Sequence, residues 1–186
     1  SASNRYVIIY NGEIYNHLEL RKEIEKNNTI EWKGSSDTET LSMCIEIYGV
    51  VPTCSKIKGM FSFAVWDKKN QELFLARDRL GEKPLYYGWH GNGNNRNFYF
   101  GSDLRAFKPH PQFDPSINRD SLSLLLRHNY IPAPHCIYDG FYKLEPGSIM
   151  KISPKKEKEE HIKYWDAEKI AVEGKLNPFM GSYQEL

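Results

Sequence analysis

The sequence predicts an α+β fold of sheets packed on helices, compatible with a four-layer αββα sandwich, and three observations carry that expectation. Met60–Lys68 and Glu72–Arg77 read as two strands of a hairpin, and in the first Phe61, Phe63 and Val65 alternate with Ser62, Ala64 and Trp66. Small residues set against large ones mark a strand covered on both faces, which a four-layer sandwich requires. Ser36-Asp37-Thr38-Glu39 fits the capping-box pattern, and Leu41, Cys44, Ile45 and Tyr48 follow at i, i+3, i+4 and i+7, one buried helix face. Aromatic residues make up 13% of the chain, twelve of them Tyr, which suits sheets packed on helices.

Taken in order, Arg5–Tyr10 is an apolar, β-branched run that reads as a buried strand. Asn11-Gly12 then sits where that strand ends and a turn opens. The pair has two readings. One is a plain Asn-Gly turn. The other is an oxyanion hole, because a side-chain amide and a backbone N–H at one corner are suitable donors. A surface helix is expected from about Asn16, as N-cap, to Asn27, with Leu18, Leu20 and Ile24 as a partial apolar stripe. Glu31-Trp32-Lys33 reads as an extended link. The capping-box helix follows, with Gly49 as its stop and Cys44 as a small core residue. Asp37, at its start, is either a carboxylate favoured by the helix dipole or one that binds a substrate ammonium.

After the 60–77 hairpin, turned at Lys69-Asn70-Gln71, Arg77-Asp78 reads as an ion pair fixing a turn, with a catalytic pair as the alternative. Gly81 and Pro84 frame a tight connection, and Leu85–Gly88 is expected to continue the sheet. Gly91–Asn95 reads as an exposed hairpin tip and Phe98–Gly101 as the returning strand. Asn118 looks like the N-cap of a helix over Arg119–His128 with Leu122, Leu125 and Leu126 facing inward. Pro132 and Pro134 forbid regular helix next. His135 and Cys136 are adjacent in an extended segment and so point apart, which argues against a Cys-His nucleophile. Ile137–Ile152 ends in a strand after the Leu144–Gly147 turn, and Lys155–Glu160 reads as a solvated turn. From Ala167 the pattern weakens, and the chain is expected to be loosely held or dependent on a neighbour.

The string Asn11-Gly12-Glu13-Ile14-Tyr15-Asn16 resembles the glutaminase-domain motif of the asparagine synthetases that use glutamine. These are class II glutamine amidotransferases with the N-terminal-nucleophile hydrolase fold. Gly34–Glu39 resembles the family's Ser-Asp-Thr-Glu segment. Gly59–Asp67 with Ala76–Tyr87 resembles its core strands and the turn between them, and Ser102–Ala106 a short family helix. The resemblance covers about Ser1 to Trp165 and rests on three ordered motifs. It departs from the family at the start: the chain begins Ser-Ala-Ser-Asn, without the nucleophilic Cys-Gly-Ile or the His-Arg-Gly-Pro segment. The sandwich is therefore expected to be incomplete at its N-terminal side, with an open sheet edge.

The resemblance implies a partial glutaminase domain over 1–166 and, over 167–186, the start of a linker toward an absent ATP-dependent synthetase domain. It implies that the parent enzyme releases ammonia from glutamine for amidation of aspartate, and that this chain alone is inactive. Asn11 and Gly12 would form the oxyanion hole, Glu13 would shape the substrate site and Asp37 would hold the glutamine amine. No cofactor is implied in this chain; ATP and Mg belong to the synthetase domain. Implied partners are glutamine, that domain and, through the open edge, a second copy in a homodimer. Two alternatives remain: an amidotransferase for a sugar or secondary-metabolite acceptor, and a catalytically dead binding or assembly domain.

Size and charge fit one domain. The chain has 186 residues and a net charge of +1, with acids and bases interspersed, giving no electrostatic case for nucleic acid. No apolar run approaches the roughly 18 residues of a membrane span. The three cysteines, Cys44, Cys54 and Cys136, have no Cys-x-x-Cys spacing, which fits a reducing cytoplasm and no metal site.

Overall fold

A computed structural model describes residues 1–91, 93, 96–153, 156–182 and 184. The elements run β1 (Tyr6–Ile14), α1 (His17–Glu25), α2 (Asp37–Tyr48), α3 (Val50–Lys56), β2 (Gly59–Asp67), β3 (Glu72–Arg77), β4 (Tyr86–His90) and β5 (Asn97–Gly101). A 3-10 turn (Leu104–Phe107), α4 (Arg119–His128), β6 (Phe141–Lys143), β7 (Ser148–Ser153), β8 (Lys156–Lys163) and α5 (Ala167–Leu176) complete them. A five-stranded sheet has the order β1-β2-β3-β7-β8, and a three-stranded sheet the order β5-β4-β6.

Strand periodicity builds the layers. Phe61, Phe63 and Val65 of β2 enter one core with Leu20, Ile24, Leu41, Cys44 and Ile45 of the helices. Ala64 of β2 and Leu75 of β3 enter a second core with Tyr87 of β4 and Met150 of β7, between the two sheets. Tyr99 and Phe141, on the far face of the small sheet, meet Phe107 and Cys136 in a third. The layers are thus helices, large sheet, small sheet and an outer cover of the 3-10 turn and adjoining loops, the expected α+β sandwich of four layers.

Several expectations need correction. Asn11-Gly12 is not a turn. β1 continues through it to Ile14, because Asn11, Gly12 and Glu13 pair with Ser62, Phe61 and Met60 of β2. Asn16 stands at the N-cap of α1 but does not cap it. Its side chain instead spans two main-chain groups at the end of α3 and just beyond it, donating to Lys56 O at 3.0 Å and accepting from Lys58 N at 2.8 Å. α3 was not legible: Val50-Val51-Pro52 suggests no helix, yet its Pro lies in the first turn, where a missing N–H is harmless.

Arg77 and Asp78 fix their turn, but not as a mutual ion pair. Arg77 donates to the carbonyls of Gly81, Lys83 and Leu144, whereas Asp78 accepts from the N–H groups of Phe61, Leu80, Glu82 and Lys83. The loop wound around these two side chains lifts the chain off the large sheet, so β4 starts the small sheet instead of continuing the first. Residues 102–106 form no α-helix; a 3-10 turn starts at Leu104. α4 has the expected limits and Asn118 cap, but Leu122 and Leu126 are 38% and 78% exposed, since only Ser121 of this helix is buried. The charged run after Lys155 is strand β8, not a turn, because it pairs with β7 along the sheet edge. At the hairpin tip, Asn92, Asn94 and Asn95 lie outside the described residues, as does Lys155 of the charged run. α5 was not expected; every described residue from Ala167 to Ser182 is exposed.

Candidate active site

β1 ends the large sheet, so among the described residues no strand pairs with its outer edge. Arg5 O accepts from Lys68 N and Tyr15 N donates to Lys58 O, so the odd-numbered residues here turn their main chain toward β2 and the loop before it. Even-numbered residues turn theirs outward. Tyr6 N donates to Ser1 Oγ and Tyr6 O accepts from Ser1 N, both at 3.0 Å, and Ile14 N donates to Asp37 Oδ2 at 2.9 Å. By this antiparallel alternation the N–H groups of Ile8, Tyr10 and Gly12 point off the edge.

α2 brings a carboxylate to that edge. Ser36 caps the helix, accepting from Glu39 N at 3.3 Å, and Asp37 begins it. The Glu39 side chain leaves the reciprocal capping arrangement and instead accepts from Lys33 N and Gly34 N. Asp37 Oδ2 also accepts from the Tyr10 hydroxyl at 2.7 Å. Burial pushes the Asp37 carboxyl upward, but the Tyr10 hydrogen bond, the N–H groups of Ile14 and Thr38 and the charge of His17 together hold it below the usual range. Burial and the bond to Asp37 raise the Tyr10 phenol. An open cleft of about 340 Å³ lies here, lined by Gly12, Glu13, Ile14, Tyr15, His17 and Asp37.

Gly12, Glu13 and Asp37 are therefore brought together, and Asn11 is not in their cleft. Successive strand residues face opposite sides, so the Asn11 side chain stands on the sheet-facing side of β1. Its Nδ2 donates to Ser102 Oγ at 3.2 Å, and Ser62 Oγ is 3.4 Å from the same hydroxyl. A second hollow, about 190 Å³, opens there between the sheets beside Ile9, Asn11 and Phe100. Tyr10, His17 and Ser102 are neighbours that the sequence reading missed as site residues. Reading Asn11-Gly12 as strand would have placed Tyr10, two residues from Gly12, on the face of Asp37. His17 Nδ1 is buried and has no hydrogen-bond partner among the described residues.

None of the cysteines lines the cleft; Cys44 and Cys54 sit in the helix-side core and Cys136 beneath the small sheet. Among the described residues no group of three or more His, Cys, Asp or Glu side chains is placed to hold a metal ion. No described helix is long and apolar enough to cross a membrane.

A family model described as a glutamine amidotransferase domain matches residues 1–165. The chain is 35% identical over 181 residues to a putative asparagine synthetase (glutamine-hydrolyzing) 2 of Methanocaldococcus jannaschii, covering 91% of this chain and 33% of that protein. It is 37% identical over 149 residues to asparagine synthetase (glutamine-hydrolyzing) 1 of Bacillus subtilis, covering 80% of this chain and 22% of that protein. The chain thus spans between a fifth and a third of these relatives. In structure it resembles the glutamine phosphoribosylpyrophosphate amidotransferase of B. subtilis, with a TM-score of 0.56 at 20% identity over 86% of this chain and 29% of that one. That likeness concerns the fold, which is that of the N-terminal-nucleophile hydrolase amidotransferases.

Proposed function

Because the chain belongs to the glutamine amidotransferase domain family, we propose that its β1-edge cleft binds L-glutamine and presents the side-chain amide for hydrolysis, as the ammonia-releasing part of an asparagine synthetase. One observation carries this reading. The outward N–H of Gly12 and the carboxylate of Asp37 share one cleft, so an oxyanion donor and an ammonium acceptor face the same ligand. Asp37 receives the α-ammonium, and Glu13 forms part of the wall around it.

In this chemistry a thiolate attacks the amide carbon, and the carbonyl oxygen gains the charge that Gly12 N–H stabilises. Collapse expels the nitrogen as ammonia with a proton taken up, leaving a thioester that water cleaves to glutamate. Asn11 is assigned as the second oxyanion donor; its Nδ2, held by Ser102 in the adjoining hollow, must turn over the β1 edge to serve there. The chain's cysteines are buried away from the cleft, so the attacking thiol is supplied by residues outside these 186. ATP, Mg and the aspartate acceptor are assigned to a synthetase portion, also outside this chain, with residues 1–166 as the amidotransferase unit and 167–186 as the start of the connection.

The test is a titration of the isotope-labelled chain followed by NMR. L-Glutamine should move the amide signals of Gly12 and Ile14 and those at the start of α2, and L-leucine should not. Signals that respond equally to both, or to neither, would refute the assignment.

A further inference from the structure

We propose that Tyr10 is a positioning residue for the substrate ammonium, acting through Asp37. The inference rests on the reading that this cleft binds L-glutamine. Asp37 Oδ2 already receives two hydrogen bonds, from the Tyr10 hydroxyl at 2.7 Å and from Ile14 N at 2.9 Å. Two donors on one oxygen fix the rotation of the carboxylate about its last bond. Oδ1 carries neither of these two bonds, and a carboxylate oxygen has lone pairs to spare for a ligand ammonium.

The two donors come from the same strand by period-two logic. Tyr10 places its side chain on the face of α2, while Ile14, four residues on, turns its N–H off the edge. With Tyr10 replaced by Phe, Oδ2 keeps only the Ile14 N–H and the carboxylate is held less firmly in its rotation. The phenol has no charge to offer a ligand and acts only through its proton, so its influence should be confined to ligands that carry an ammonium. A purely structural role, tying α2 to β1, would act on every ligand alike.

The experiment measures binding of two ligands to the full 186-residue chain by calorimetry or NMR titration. One is L-glutamine; the other is 4-carbamoylbutanoate, which lacks only the α-amine. The unsubstituted chain should prefer L-glutamine. Tyr10→Phe should weaken L-glutamine binding by about tenfold, as loss of a hydrogen bond to a charged group does, and leave the analogue within about twofold. In an Asp37→Asn background, Tyr10→Phe should have no further effect. Equal weakening of both ligands, or unchanged L-glutamine binding, overturns the proposal for Tyr10 alone. If the unsubstituted chain binds the two ligands equally, or binds neither, the ammonium reading of Asp37 fails and the proposal falls with it. Should Tyr10→Phe not fold, the unsubstituted chain still decides. The Asp37 carboxyl-carbon and Tyr10 ring signals should shift with L-glutamine and not with the analogue, and equal shifts overturn the proposal.

Discussion

Gly12 and Met60 stand on facing strands so close together that a β-carbon on Gly12 would lie 2.2 Å from the Met60 carbonyl oxygen. The relationship is nearly reciprocal: a β-carbon on Gly59 would lie 2.1 Å from the Glu13 carbonyl oxygen. Both glycines hold positive φ, +155° and +153°. Neither the space nor the backbone conformation admits another residue, and this crowded end of the β1–β2 ladder presents the Gly12 N–H to the cleft. Gly12→Ala should therefore cost at least about 2–3 kcal/mol, combining a strained φ with displacement of the facing strand. Urea unfolding measures it. A loss below about 1 kcal/mol would mean the strands separate easily there.

The cysteines should be inert in the folded chain. Burial first, and the nearby Glu23 charge second, push the Cys44 thiol up to about 12. Burial also raises Cys54 and Cys136. A thiol kept protonated and out of solvent neither attacks an amide nor reacts with a disulfide reagent. At pH 8, a thiol reagent should label all three only as fast as the chain unfolds, and the 186-residue chain should release no ammonia from glutamine above buffer. Measurable turnover abolished by Cys44→Ala would make Cys44 a nucleophile and overturn its placement in the core.

Much of the fold was legible because local signals and burial agree. The β2–β3 hairpin shows its period of two, α2 its capping box, and α4 its Asn118 cap, and all three form where expected. The failures have particular causes. Asn11-Gly12 carries a turn signature, but its conformation is set by a strand some fifty residues later in sequence, which no local rule reports. The leucines of α4 show helical spacing, yet spacing says nothing of what covers them. The Tyr10–Asp37 hydrogen bond was not legible because it joins residues twenty-seven positions apart. The place of Asp37 at the start of α2, by contrast, was legible from the capping box around it.

Acid should unfold the chain through its paired carboxylates. The hydrogen bond from Arg5 is the main influence holding Asp67 below its ordinary range, with burial opposing and the N–H groups of Asn70 and Lys69 assisting. The contact is bidentate, 3.0 and 2.6 Å, and ties the start of β1 to the end of β2. A carboxyl whose folded value is depressed stabilises the fold at pH above its unfolded value, near 4, and that contribution is lost as pH falls through the folded value. Asp67→Asn should lower stability at pH 7 and flatten the dependence below about pH 4. Circular dichroism of both proteins across that range checks it. Parallel acid curves would show that Asp67 is not a source of the sensitivity.

If the chain serves in a longer glutamine-hydrolysing enzyme as proposed, Asn11 and Asp37 should differ in kinetic signature, because their side chains offer different chemistry. Asn11 is a neutral donor whose amide is held by Ser102, suited to charge that exists only in the transition state. Asp37 is a carboxylate in the cleft, and in the proposed function its partner is an ammonium present from the first encounter. Loss of an interaction made only in the transition state lowers kcat and kcat/KM together, whereas loss of uniform binding raises KM alone. Asn11→Ala should thus reduce kcat by roughly two to three orders of magnitude. Ser102→Ala should act in the same direction but more weakly, since the amide remains and only its orientation is freed. Asp37→Asn should chiefly raise KM for glutamine. It should also lower the melting temperature slightly, because a charge at the first turn of α2 contributes about 0.3–1 kcal/mol. Steady-state glutaminase assays on the three variants, with thermal unfolding in the absence of ligand, separate these effects. An Asn11→Ala enzyme with kcat within a few-fold of the parent would remove Asn11 from the oxyanion site and leave Gly12 as its donor from this chain. An Asp37→Asn enzyme with unchanged KM and only a lower melting point would reduce Asp37 to a helix-start carboxylate tied to Tyr10 and Ile14.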